Sequence, residues 1–194
     1  MYIMGASGHA KAVIAAVESK GIEINGVLDD NPEIKECLKY PVSTPENFDI
    51  APKSQMLVAI GDNKIREKVV LKLGKKVFYS KVAHSFSWVS EYSNFGEGTV
   101  IMAGAIVQPH TEIGKHVIVN TAAVVDHDCL IGDFSHIAPH ATLCGGVIVG
   151  IGSLIGAGCT VLPGIKIGEN CVVGAGATVL RDVLDGEIVY GVVN

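Results

Sequence analysis

From Val89 to Val179 an aliphatic or aromatic side chain returns at every sixth residue: Val89, Phe95, Ile101, Val107, Ile113, Val119, Val125, Ile131, Ile137, Leu143, Val149, Ile155, Val161, Ile167, Val173 and Val179. A smaller or β-branched residue follows four positions later, from Val107 onward: Thr111, Val117, Ala123, Cys129, Ser135, Ala141, Val147, Ser153, Cys159, Ile165, Cys171 and Ala177. A fixed six-residue period, with Gly often just after the aliphatic residue, predicts a parallel β-helix of hexapeptide repeats. Three hexads close one coil, with the large residue on the axis and the small one in the corner. The run then spans about five coils, roughly 24 Å of strands stacked at ~4.8 Å per step.

Residues 1 to 80 lack the hexad and alternate strand with helix. A strand is predicted over 2–4, a helix over 9–18 with Ala10, Val13, Ile14 and Val17 on one face, and a strand over 25–28 that ends in the Asp29-Asp30-Asn31-Pro32 turn. A third strand follows over 55–60, a helix over 64–73 and a last strand over 76–79. This order predicts a small parallel, Rossmann-like α/β sheet. The expected domains are 1–82 and 83–194, joined near 80–84. About 80 residues bury only around 60 to 65% of their surface, so the first domain is expected to lean on the β-helix or on a neighbouring subunit. The tail from 181 to 194 is expected to cap the open end of the stack.

A net charge of -5 leaves no basic footprint for nucleic acid. No apolar run reaches the ~18 to 20 residues of a membrane-spanning helix, and Met1 leads directly into a strand pattern with no room for a signal peptide, so a cytoplasmic protein is expected. Of the five cysteines, Cys129, Cys159 and Cys171 occupy the small inward slot and need no explanation beyond packing. Cys37 and Cys144 lie outside that slot. No disulfide is expected from this spacing.

Two constellations carry candidate chemistry. Gly5-Ala6-Ser7-Gly8-His9 joins a strand to a helix, where free backbone N–H groups and the positive end of the helix dipole favour a phosphate. The G-x-x-G spacing and the short domain argue against a dinucleotide. A mononucleotide fits, with phosphates at Gly5 to His9 and a base or ribose donating to Asp29 or Asp30; Asp62 and Asn63 would line the same crevice. An ordinary glycine turn and a solvated acidic turn are the plain alternative. In the β-helix, His127 follows inward Val125 by two positions and points outward between Asp126 and Asp128. A carboxylate bonded to an imidazole fixes its tautomer and raises its basicity, as a general base requires. His136 and His140 follow, while His84, His110 and His116 read as surface residues. A metal shared between subunits, as in the gamma-class carbonic anhydrases, is an alternative that the histidine spacing does not match, and no metal is expected. A structural surface histidine at 127 is another.

The opening Tyr2-Ile3-Met4-Gly5-Ala6-Ser7-Gly8-His9, the Leu28-Asp29-Asp30 turn, the Ala59-Ile60-Gly61-Asp62-Asn63-Lys64-Ile65-Arg66 block, and Asn120-Thr121 followed by His127-Asp128-Cys129 and Phe134-Ser135-His136 resemble the nucleotide-sugar N-acetyltransferases of bacterial bacillosamine and perosamine pathways. Sialic acid O-acetyltransferase-like proteins belong to the same wider group. The resemblance implies a left-handed coil, a homotrimer with active sites between β-helices, and acetyl-CoA as co-substrate. It implies His127 as catalytic base with Asp128 as its helper, a position where a related sequence carries Glu. His136, Gly145, Ala157 and Ala175 correspond to acetyl-CoA contacts, Asn120 to a position near the sugar, and Gly5, Ala6, Ser7, Gly8, His9, Asp29, Asp30 and Asp62 to the nucleotide site. The implied reaction acetylates the 4-amino group of a nucleotide-linked amino sugar, a UDP-4-amino-4,6-dideoxy-N-acetylhexosamine first. GDP-perosamine N-acetylation and sugar O-acetylation are alternatives, and a non-catalytic nucleotide-sugar scaffold is the rival of another class. One departure is that Gly191-Val192-Val193-Asn194 ends without the Pro-Ala-Lys usual in that group.

Overall fold

The computed structural model describes residues 1–47 and 51–194. Its N-terminal part runs β1 (Tyr2–Met4), α1 (Gly8–Ser19), β2 (Gly26–Leu28), β3 (Glu36–Cys37), β4 (Tyr40–Ser43), β5 (Gln55–Val58), α2 (Asn63–Leu73) and β6 (Phe78–Tyr79). These strands form one sheet in the order β3-β4-β2-β1-β5-β6. All pairings are parallel except β3 with β4, which is an antiparallel hairpin. The sheet is therefore mixed, where the sequence pattern predicts a parallel one. Strands this short cannot display an alternation to be read. Cys37 lies on β3 and is buried, so packing accounts for it.

Ala10, Val13, Ile14 and Val17 on α1 are fully buried, as their spacing requires. Their core extends to Val82, Val100, Met102 and Ile118, which belong to the following part of the chain. Each large aliphatic side chain buried there stabilises the contact by about 1.5–3 kcal/mol. The small N-terminal sheet is thus bound to its neighbour by a continuous apolar core.

That neighbour is a three-sided parallel β-solenoid. Among the described residues its faces are sheets of seven, seven and five strands. The first face holds Val82–Ala83, Val100–Ile101, Ile118–Val119, His136–Ile137, Leu154–Ile155, Val172–Val173 and Ile188–Val189. The second holds Trp88–Val89, Ile106–Val107, Val124–Val125, Thr142–Leu143, Thr160–Val161, Thr178–Val179 and Val192–Val193, and the third runs from Asn94–Phe95 to Lys166–Ile167. Successive coils pair residue for residue eighteen apart, as Val100 with Ile118 and Ile101 with Val119. Within each two-residue strand the second side chain points to the axis, which is the hexad position. The smaller slot is also inward, and its polar members are satisfied by the next coil: the hydroxyls of Thr111, Ser135 and Ser153 donate to Asp126 O, Gly150 O and Gly168 O at 2.7, 2.8 and 2.7 Å.

Every corner from Gly98 to Gly176 carries one residue in the left-handed region, including His116, Asp128, Phe134 and His140. Every hexad is corner plus strand, so no loop interrupts the stack between Val89 and Val179. The solenoid starts one hexad earlier than the aliphatic run shows, because small Ala83 holds the inward place. Its end also differs from a simple cap. The tail adds Ile188–Val189 and Val192–Val193 to the first and second faces, continuing the stack with altered spacing. Arg181 ties this last coil to Glu187 at 2.8 Å.

Candidate active site

The carboxyl ends of β1, β2 and β5 lie side by side, since β1 pairs with both others. Gly5 leaves β1 with φ +112, and a Cβ there would stand 2.9 Å from Ala59 O, so only glycine fits against β5. Ser7 takes the N-cap place of α1 without using its hydroxyl, and no acidic side chain occupies the first helical turn. The hydroxyl and the dipole end are therefore uncommitted. Asp29 reaches across from β2, its two oxygens accepting from Ala6 N at 2.8 Å and Asn31 N at 2.9 Å. Asp30 is exposed, 3.8 Å from Lys72 Nζ. Asp62 caps α2, accepting from Ile65 N at 2.8 Å, so one of its oxygens already has a structural duty. His9 is half-buried against Gly61, and burial, then the Arg66 cation, pushes its pKa down to about 4.

His127 occupies the corner between the second and third faces. Asp128, the left-handed residue of that corner at φ +59, turns its carboxylate back so that Oδ2 stands 2.7 Å from His127 Nδ1. A carboxylate can only accept, so Nδ1 donates and Nε2 keeps its lone pair. The bond to Asp128, with the nearby Asp126 charge, raises the His127 pKa above its ordinary value. Gly145 lies one coil above, and a Cβ there would sit 2.6 Å from Cε1 and Nε2 of His127, so the imidazole rests on bare backbone.

His136 is placed differently. It opens a strand on the first face, where its Nε2 stands 3.0 Å from Asn120 Nδ2, and its ring centroid lies 6.2 Å from that of His9. Burial, with Arg66 and His9 adding, lowers its pKa to about 4. The donating Asn120 amide requires a bare Nε2, consistent with a neutral ring. In a three-sided coil the corner between the second and third faces is opposite the first face. One chain therefore brings Asn120, His136 and His9 together and keeps His127, Asp128 and Gly145 on the far side. Ala157 and Ala175 are exposed at another corner, between the first and second faces. A cleft of about 510 Å³ opens beside His136, lined by Gly61, Asp62, Asn63, Leu154 and Ile188 among others.

Two residues escaped the sequence pattern. His116, expected at the surface, is 4% exposed, stacked on Phe134 at 5.0 Å and edge-on to Tyr79 at 4.6 Å. Its burial follows from the N-terminal part covering that coil. Arg66 is buried inside α2's contact with the solenoid. The available signal was on the first face, whose outward positions Val82, Val100 and Ile118 are apolar and so imply a cover.

The family model described as PglD N-terminal domain matches residues 1–73, and that of the bacterial transferase hexapeptide (six repeats) matches 146–181. A crystal structure of a perosamine N-acetyltransferase mutant from Caulobacter crescentus, in complex with CoA and GDP-perosamine, superimposes with a TM-score of 0.91 at 34% identity, covering 98% of this chain and 92% of that one. The chain belongs to the bacterial nucleotide-sugar N-acetyltransferases. Another solved member, the acetyltransferase domain of PglB from Neisseria gonorrhoeae FA1090, matches with a TM-score of 0.90 and 33% identity over 98% of this chain and 95% of that one. A curated relative, UDP-N-acetylbacillosamine N-acetyltransferase of Bacillus subtilis (strain 168), is 39% identical over 109 residues, which is 52% of this chain. The match spans only 50% of that relative's length. The hexapeptide solenoid is of the left-handed β-helix type. The described residues include no helix long and apolar enough to cross a membrane, and no group of three or more metal-ligating side chains.

Proposed function

We propose that this family member transfers the acetyl group of acetyl-CoA to the 4-amino group of a nucleotide-linked amino sugar. The observation that carries the reading is the full-length likeness to a perosamine N-acetyltransferase holding CoA and GDP-perosamine, together with a His127–Asp128 pair poised as a base. The nucleotide is read into the crevice at Gly5, Ala6, Ser7, Gly8 and His9, with Asp29, Asp30 and Asp62 at its rim. Five strands there run parallel in the order β4-β2-β1-β5-β6, which supports reading residues 1–82 as a Rossmann-like domain, its switch point at β1. Residues 83–194 then form the domain that takes acetyl-CoA, along His136, Gly145, Ala157 and Ala175.

His127 Nε2 accepts a proton as the sugar amine attacks the thioester carbonyl. The C–N bond forms, the C–S bond breaks, and the coenzyme thiolate leaves and is protonated from the imidazolium. The Gly145 N–H, which has no acceptor among the described residues, is read as a donor to the tetrahedral oxyanion. No nucleophilic side chain is needed, because the thioester is already activated and orientation supplies much of the rate. His127 and His136 lie on opposite sides of one solenoid, so the site is completed between copies. A homotrimer with His127 of one copy facing Asn120 and His136 of the next satisfies this. The expected compartment is the cytoplasm.

A UDP-linked 4-amino-4,6-dideoxy-N-acetylhexosamine is the first substrate. GDP-perosamine is the second, favoured by the solved likeness. The test is thiol release from acetyl-CoA with each sugar, alongside thermal shifts with UDP, GDP and CMP, since a ligand bound to the native state raises Tm by mass action. Thiol release with a nucleotide amino sugar is the expected result; release with none of the acceptors, beside a clear nucleotide shift, would favour a binding scaffold.

A further inference from the structure

Arg66 is 1% exposed, and its guanidinium meets backbone carbonyls rather than a carboxylate. Nε donates to His116 O at 2.9 Å. Nη1 donates to Ile60 O and Gly61 O at 3.0 and 3.2 Å, and Nη2 to Asn63 Oδ1, Phe134 O and Ser135 O at 2.8, 2.7 and 3.4 Å. One planar fork therefore grips three places: the Gly61 end of the crevice, the corner at His116 one coil below, and the Phe134–Ser135 corner that leads into His136. Asn63, held by the same fork, reaches the coil above through Nδ2 to Gly152 O at 2.9 Å.

A buried cation whose donors all meet uncharged acceptors, with only the Asp62 charge nearby, is costly, and an apolar side chain would fasten two packed surfaces with less penalty. Fastening is already supplied by α1, whose apolar face shares a core with Val82, Val100 and Ile118. What the guanidinium adds is direction, because its donors have fixed angles that a flexible ammonium lacks.

We propose that Arg66 is a positioning residue for acetyl transfer: it locks the Gly61 end of the nucleotide crevice to the strand that carries His136, so that a sugar held by the first is presented at a fixed offset to His136 and Asn120 on the second. The inference rests on the reading of that crevice as the nucleotide site. Arg66 also adds its charge to the burial that keeps the strip neutral. The groups facing His136 are Arg66 from α2, His9 from α1, the Asn120 amide from the coil below and the Gly61 backbone after β5, with Asp62 and Lys64 lining the same cleft. After burial, the Arg66 charge is what opposes protonation of both His9 and His136.

The experiment compares the full chain with Arg66→Met and Arg66→Lys, the lysine variant carrying the test if the methionine variant fails to fold. Three quantities are measured: kcat for acetyl transfer, Kd for UDP and GDP by calorimetry, and the titration of His136 by NMR of the labelled imidazole. A positioning role lowers kcat by about 10- to 100-fold while the nucleotide Kd stays within about threefold, and Arg66→Lys does not restore kcat. The His136 titration moves up toward the ordinary histidine range in Arg66→Met. Equal losses in kcat and nucleotide affinity, or an unmoved His136 titration in a folded Arg66→Met chain, would overturn the proposal. If the parent chain acetylates no nucleotide amino sugar, the acetyl-transfer reading fails on its own, and the His136 titration still decides whether Arg66 governs the strip.

Discussion

His127 and His136 stand nine residues apart in one solenoid, yet their surroundings drive them in opposite directions. His127 sits on an exposed corner, bonded to a carboxylate, and is made more basic. His136 lies on a face that the N-terminal part covers, accepts an amide donor and is held neutral down to about 4. The same repeat supports both, because a hexad decides only which side chains point to the axis. What happens to an outward side chain depends on what the rest of the chain lays over it. One histidine is suited to take a proton and the other to offer a fixed polar surface.

The strongest break of this contrast is His127→Ala. With the proposed base gone, kcat should fall by ~10² to 10⁴, the usual worth of a general base, in a thiol-release assay with a nucleotide amino sugar. Wild-type turnover in that variant would remove His127 from the mechanism. Gly145→Ala tests the corner without replacing the histidine. The added methyl would stand 2.6 Å from the imidazole, so the ring must swing away, and kcat should drop about 100-fold with the solenoid intact by circular dichroism.

Acid titration sharpens the contrast at the level of stability. His9, His116 and His136 have folded-state values of about 4, below the ordinary 6.5. Between those pH values the unfolded chain binds more protons, so stability falls as pH drops from 6.5 to about 4 by on the order of a few kcal/mol. Urea midpoints across that range measure it; a flat profile would mean that the three rings are not buried neutral. His127 contributes with the opposite sign: its pair with Asp128 stabilises at low pH and is lost as pH rises through the raised value. The proposed base works as neutral imidazole, so the acid limb of kcat should lie above 6.5. The smallest expected effect is Asp128→Asn, which should lower kcat about tenfold and bring that limb back toward the ordinary histidine range. An unshifted limb would deny Asp128 its role.

The solenoid was legible because its inward residues recur at a spacing no other element shares, and polar substitutions such as Ser135 and Ser153 still fit the slot. The crevice was legible through Gly5 and the turn at Asp29. The β3–β4 hairpin was not, since two-residue strands carry no period. Arg66 was hidden among the basic residues of α2, where Lys64, Lys68 and Lys72 are solvent-facing and nothing local distinguishes the one that is buried. His116 and His136 share with it a cause that lies outside local sequence, because their burial is created by contact between segments fifty or more residues apart.

The pairing of each residue with its equivalent eighteen positions on makes the solenoid behave like a screw thread with a reading frame. Removing eighteen residues from the middle would shorten it by one ~4.8 Å step and leave every outward side chain on its own face. Removing six would keep all inward positions satisfied, and the core would scarcely register the loss. Yet everything beyond the cut would turn by one face, carrying its chemistry to a side of the prism where no partner waits. Folding tolerates deletion in units of six, whereas this chemistry tolerates it only in units of eighteen.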